Sequence, residues 1–531
     1  MAALHSMLIR PKKLRLFLVV YIVCSLPSVL VGLEGLSRPF DAIPDQDLLW
    51  VSEALRLARG VAPSYADHPG AFWSIVFRFN LKLLKVLVPS VSIIDSGESL
   101  TLAGAQLLVL VARIQNIFMA SVVGPLVFII ARQLHIRKSL SFLSAIAVAW
   151  SSGTLVGVSE IRHEIVSLVF ILLSFASFLY LLGHRRVVRY IPDSFTWLVP
   201  LSLFFAAVYS KVQVLLIAPL YFIPLLSIAP LRVYFDQFLS GKPSEKIRIL
   251  LSLNFLWLIP WLVGASPHLG VVNGLTWLVI NAGLSILIAG LVSLRDQGLA
   301  TLTNASLFLS LYEILLFKVI SPHWWSRAVT SFPSWLTQYT DKQISSDSSF
   351  LPKIIYHFDL YLGSIFGSTL YVVVLASTIL FLLLLLFCGE NNGKSFHPLV
   401  PSLFLIVFGL FISMSFRYAV RYEVYLVVIC ALYLARLSEV AFSSASSVVS
   451  QKRLLGGVGL LAAIASTLIA WVSFQNLFSL SSFVKLRQPK SFYCFGHHMD
   501  KTMANLPVAK CPNFNEASTS KSIFDHWSGP L

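Results

Sequence analysis

Residues 44–70 bring Asp45, Asp47, Glu53, Asp67 and His68 together in a chain that is 57% hydrophobic and only 12% charged. Three further charged sites follow: Glu160, Arg162, His163 and Glu164; then Lys211; then Arg417, Arg421 and Glu423, interleaved with Tyr418 and Tyr422. A carboxylate can take the proton of an attacking hydroxyl, and Arg or Lys can stabilise a phosphate that leaves. That is the inventory for breaking a sugar–phosphate bond. Asp45 and Asp47 are therefore the candidate catalytic carboxylates. Asp67, His68, Arg162, Glu164, Lys211, Arg417, Arg421 and Tyr422 are the candidate substrate-binding residues.

Each has a plain structural alternative. Asp45 or Asp47 would cap the helix that follows, but only one of them can do so. Asp67, Pro69 and Gly70 are all turn formers. Arg162 and Glu164 suit an ion pair at a helix start, and Lys211 suits a lysine snorkelling to the headgroup layer. Arg417 and Arg421 are four apart, so a helix would put them on one face, with Glu423 nearby to neutralise them. Two arginines in a non-cytoplasmic loop run against the positive-inside trend, which favours phosphate binding.

The elements that must position these groups are apolar helices. A mean hydropathy of +0.80 and 39 Phe in 531 residues fit no soluble domain, and repeated apolar runs of about 20 residues define a polytopic helical membrane protein. The net charge of +16 sits in short loops between those runs. It therefore reads as topology rather than as a nucleic-acid surface, and it also suits anionic lipid headgroups. Arg10 to Arg15 hold the N-terminus in the cytoplasm ahead of an uncleaved first span, 14–33. The first outer loop, 34–106, contains a helix from Asp47 to Arg59, with Leu48, Leu49, Val51, Leu55 and Ala58 as an apolar stripe lying in the interface plane. A second interfacial helix, 71–88, carries Arg78, Lys82 and Lys85 on one face.

Spans are expected at 107–132, with Arg113, Gln115 and Asn116 near the outer end, at 140–157 and at 165–182. Two more share 195–230 and meet at Ser210–Lys211. Others follow at 249–265, 271–293, 299–319, 367–388, 398–416, 421–437 and 455–478. The total is about 13. The fold class is an all-α polytopic membrane protein with interfacial helices in its first outer loop. Residues 1–440 form the transmembrane catalytic module, 441–480 the last span with its inner loop, and 481–531 an extracytoplasmic tail. Cys24, Cys388 and Cys430 belong to apolar spans as small hydrophobes. Cys494 and Cys511 would pair only in an oxidising compartment. No spacing demands a metal site; a divalent cation stays open as a participant.

The order of these motifs resembles the GT-C glycosyltransferases, especially the protein O-mannosyltransferase-like (family 39) branch and its lipid A aminoarabinose transferase relatives. The matching residues are Asp45-Gln46-Asp47, Glu53-Ala54-Leu55 through Gly60, Asp67-His68-Pro69-Gly70, Ala112 to Asn116, Ile161 to Glu164, Ser210 to Val212, and Arg421-Tyr422. They cover roughly residues 1–440. The sequence departs from the family pattern at Gln46, which interrupts the acidic pair, and at Gly70, where the family has a second proline. The resemblance implies a GT-C-like bundle and an inverting glycosyltransferase. Its donor would be a polyprenyl-phosphate sugar, and its acceptor a lipid, glycan or protein at the extracytoplasmic face of the plasma (inner) membrane. Asp45 would be the base, with Asp47 beside it. Two other functions compete. A transporter or flippase would use charges in mid-span and broken helices. A glycan polymerase or ligase would use the loop 321–365, with His323, Arg327 and His357.

Overall fold

The computed structural model describes residues 11–36, 51, 54, 71–87, 102–159, 161, 163–183, 198–210, 423–443 and 449–479. The spans expected between 249 and 416, the loop 321–365 and the tail 481–531 lie outside the described residues. The described elements are helices: α1 (Pro11–Leu36), α2 (Ala71–Leu87), α3 (Leu102–Gln133), α4 (Lys138–Ala149), α5 (Ser152–Ser159), α6 (His163–Gly183), α7 (Leu198–Ser210), α8 (Glu423–Ser443) and α9 (Val449–Gln475), which ends in a 3-10 turn, Asn476–Ser479. No strand occurs among the described residues.

Leu14–Leu36, Gln106–Gln133, His163–Leu181 and Gly456–Phe478 are long and apolar enough to cross a membrane. They match the expected spans at 14–33, 107–132, 165–182 and 455–478 to within a few residues. The expected span 140–157 is not one straight helix: α4 and α5 are bent by 49° about a break between them. Its cause is local. Ser151 Oγ accepts from the Thr154 N–H at 3.3 Å and so starts a new helix in mid-span. The Ser151 and Thr154 hydroxyls both donate to the Val148 carbonyl, each at 2.8 Å, adding to the Ser151 backbone N–H that the same carbonyl accepts at 3.2 Å.

The break is also held from outside. Ser473 Oγ on α9 donates to the Ala147 carbonyl at 2.7 Å, and Asn476 Nδ2 donates to the Trp150 carbonyl at 2.9 Å. Trp150 Nε1 donates to the Val23 carbonyl of α1 at 3.1 Å. Pro27 lies four residues on in α1 and has no N–H for that carbonyl, so the indole replaces the missing donor. Close packing of α1 on α3 depends on small residues: a Cβ at Gly124 would stand 2.5 Å from Cys24 Cβ.

α3 ends in a Schellman motif. His135 adopts φ 60, its N–H bonds to the Arg132 carbonyl, and the Ile136 N–H reaches back to the Ala131 carbonyl. That turns the chain tightly into α4. Beside it, Arg137 donates from its backbone N–H and from Nε to the Glu439 carboxylate of α8 at 3.1 and 3.2 Å. The largest core cluster joins α3, α4, α6, α8 and α9 through residues such as Val127, Ile130, Leu172, Phe175, Leu426, Tyr433 and Ala462.

Candidate active site

At the end of the bundle where α6 begins, polar side chains are buried between apolar helices. Asn116 of α3 is the hub. Its Oδ1 accepts from Trp73 Nε1 of α2 at 3.2 Å, and its Nδ2 donates to the Gly157 carbonyl of α5 at 3.2 Å. One amide thus uses both ends to tie the first-loop helix to the broken span. One residue earlier, Gln115 Oε1 accepts from Asn80 Nδ2 of α2 at 2.7 Å. Arg113 is only 4% exposed. Its Nη1 donates to the Gly35 carbonyl at 3.1 Å, in the last turn of α1, where the helix dipole favours a cation.

A separate apolar cluster packs around this hub. Val51 and Ala54 from the first loop meet Trp73, Phe77 and Leu81 of α2, Leu108, Val109 and Ala112 of α3, and Ile161 and Val166 about the start of α6. Trp73 stacks on Phe77 with centroids 5.1 Å apart. Val51 was expected to face the membrane interface; it is fully buried against protein instead. An isolated amphipathic stripe looks the same whether lipid or a neighbouring helix covers it, so periodicity alone does not separate the two.

Glu164 is the candidate site residue that the described structure places. It is 1% exposed, in the first turn of α6, where the helix dipole stabilises a carboxylate. His163 Nε2 stands 4.0 Å from its Oε2, an ion pair when the imidazole is protonated. The Tyr425 hydroxyl of α8 donates to Ser167 Oγ at 3.0 Å and lies 3.3 Å from the Glu164 carbonyl. The start of α8 is therefore held against the start of α6. Asp45, Asp47, Asp67, His68, Arg162, Lys211, Arg417, Arg421 and Tyr422 lie outside the described residues. Their chain neighbours do not: Ile161 and His163 flank Arg162, Ser210 ends α7 just before Lys211, and Glu423 begins α8 just after Tyr422.

Trp73, Ser167 and Tyr425 carry no charge to mark them in the sequence, and Asn116 stands there only as a polar residue near the outer end of its span. The available signal was a polar or amphipathic group inside an apolar helix, since a buried indole N–H or phenol O–H usually finds a partner. Tyr425 follows Tyr422 at helical spacing. Among the described residues, no three His, Cys, Asp or Glu side chains gather as a metal group would require. Cys24 and Cys430 are buried free thiols.

A bundle of apolar helices with a buried polar junction at one end defines a helical membrane protein. No family model matches the chain, and no curated protein matches it. Among solved structures it is similar to the oligosaccharyltransferase of Archaeoglobus fulgidus. In the apo form the TM-score is 0.45 at 14% identity, covering 93% of this chain and 64% of that one. In the complex with Zn and sulfate the TM-score is 0.43 at 11% identity, covering 92% and 62%. The chain thus spans less than two thirds of the length of the protein it resembles.

Proposed function

We propose that this chain is an inverting glycosyltransferase of the GT-C type, in the protein O-mannosyltransferase-like branch. It moves a sugar from a polyprenyl-phosphate carrier to a lipid, glycan or protein acceptor at the extracytoplasmic membrane face. Asp45, with Asp47 beside it, takes the acceptor proton as the acceptor oxygen attacks the anomeric carbon. The carbon–phosphate oxygen bond breaks as the new bond forms, and the polyprenyl phosphate leaves with that electron pair. Arg162, Lys211, Arg417 and Arg421 supply the positive charge that stabilises it. Asp67, His68, Glu164 and Tyr422 orient the sugar and the acceptor.

One observation carries this reading: elements adjoining three of the charged sites meet at one junction. Val51 and Ala54 of the first loop pack with Ile161, and Tyr425 reaches Ser167 beside Glu164. The test is transfer from a set of polyprenyl-phosphate sugars in membranes containing wild type, Asp45→Asn, Asp47→Asn or both substitutions. A lost general base costs about 10²–10⁴-fold in rate, so at least one single variant and the double variant fall by about 100-fold or more while inserting normally. Full activity in all three would falsify the assignment.

The break between α4 and α5 favours a second reading, a transporter, because discontinuous helices line many transport sites. The side chains found at that break are Ser151 and Thr154, hydrogen-bonded to backbone. Proton-coupled uptake that persists without any lipid-linked sugar would move the reading to transport.

A further inference from the structure

α2 has three faces rather than two. At about 100° per residue, Trp73, Phe77 and Leu81 share the face buried against α3 and α6. Arg78, Lys82 and Lys85 form a second stripe beside it. Phe79, Leu83 and Val86 form a third, and they are 66%, 49% and 77% exposed. Three large apolar side chains at i, i+4 and i+7 do not suit water, and no described helix covers them. Lys82 is exposed, and the buried Nε of the half-buried Arg78 has no hydrogen-bond partner among the described residues. The helix packs on α3, whose own Ile114 and Phe118 are 49% and 61% exposed on a candidate membrane span.

From this arrangement we infer that α2 is a binding surface for anionic phospholipid. Phe79, Leu83 and Val86 sink into the headgroup–acyl boundary, and Arg78 and Lys82 hold lipid phosphates beside them. An apolar stripe alone would take any bilayer; the adjoining cationic stripe selects negative headgroups. A free phosphate ion would engage the cations but leave the three apolar side chains in water, so the surface is assigned to lipid. The inference goes beyond glycosyl transfer and does not depend on it.

The experiment uses the full chain in nanodiscs of phosphatidylcholine with one part in about three phosphatidylglycerol, and no sugar donor. After extraction into mild detergent, co-purifying lipid is quantified by mass spectrometry. Wild type retains phosphatidylglycerol over phosphatidylcholine, and the preference falls about fivefold for each cation removed in Arg78→Gln and Lys82→Gln. Lys138→Gln, an exposed cation at the opposite end, leaves it unchanged. Matching thermal unfolding midpoints in pure phosphatidylcholine show that the variants fold. No preference in wild type, an unchanged preference in the Arg78/Lys82 double variant, or displacement of the lipid by millimolar inorganic phosphate would each overturn the inference. A preference lost equally in Lys138→Gln would overturn it as well, by showing net charge rather than a site.

Discussion

The two ends of the bundle solve the same packing problem with different chemistry. Where α3 turns into α4, the contact is ionic and wet: Arg137 meets Glu439 with side chains 56% and 15% exposed, and lies 5.1 Å over the Phe442 ring. Where α6 begins, the contacts are buried and mostly run from neutral side chains, through Asn116, Trp73, Tyr425 and Ser167. Tyr425 and Glu439 stand on the same helix, about 20 Å apart along its axis. An exposed pair tolerates rearrangement because water replaces a lost partner. A buried amide does not, because its partners are stranded. The buried end therefore has the more fixed geometry, as a site needs when it must hold reacting groups in place. The charged residues of the proposed transferase adjoin that end in sequence.

The largest effect separating the two ends belongs to Asn116→Leu. It removes two bonds at once and leaves the Trp73 indole and the Gly157 carbonyl without their partner. At about 1–3 kcal/mol for each stranded group, the variant should unfold about 2–6 kcal/mol more easily in detergent. A Leu variant as stable as wild type would show that the hub does not organise this end.

Tyr425→Phe comes next. The ring stays in place, but the bond to Ser167 is lost, which costs about 1 kcal/mol. If the α6–α8 junction positions the site, transfer should fall further than stability does, with the loss in kcat rather than in KM. A stability change with normal kcat would reduce Tyr425 to packing.

Much of this contrast was legible in the sequence, and the reasons are local. Spans such as 107–132 and 165–182 announce themselves because a bilayer demands long apolar runs. The helix over 71–88 was legible because Arg78, Lys82 and Lys85 repeat at helical spacing. The break after Ala149 was not, because Ser and Thr in an apolar run read equally well as hydroxyls bonded back within an unbroken helix. Asn116 was visible as a polar residue, but its partners Trp73 and Gly157 are 43 and 41 residues away. No local pattern predicts which helix an amide will meet. The acidic pair Asp45 and Asp47 stood out by charge, whereas the buried side of their loop, Val51 and Ala54, is uncharged and carries no such mark. Charge shows where chemistry is affordable; it does not show what holds it in place.

The smallest effect lies at the ionic end. Arg137→Ala removes a partly exposed ion pair and a cation–π contact with Phe442, worth together about 0.5–2 kcal/mol. The contribution from the pair should shrink as salt is raised, because the Debye length falls to about 3 Å at 1 M. The Asn116→Leu penalty should hold constant across the same range, since it involves no exposed charge. Thermal unfolding of both variants and wild type at about 0.1 and 1 M salt reads this directly. If the Asn116 penalty also collapsed with salt, the buried end would owe its rigidity to long-range charge rather than to satisfied amides. The contrast between the ends would then be one of degree.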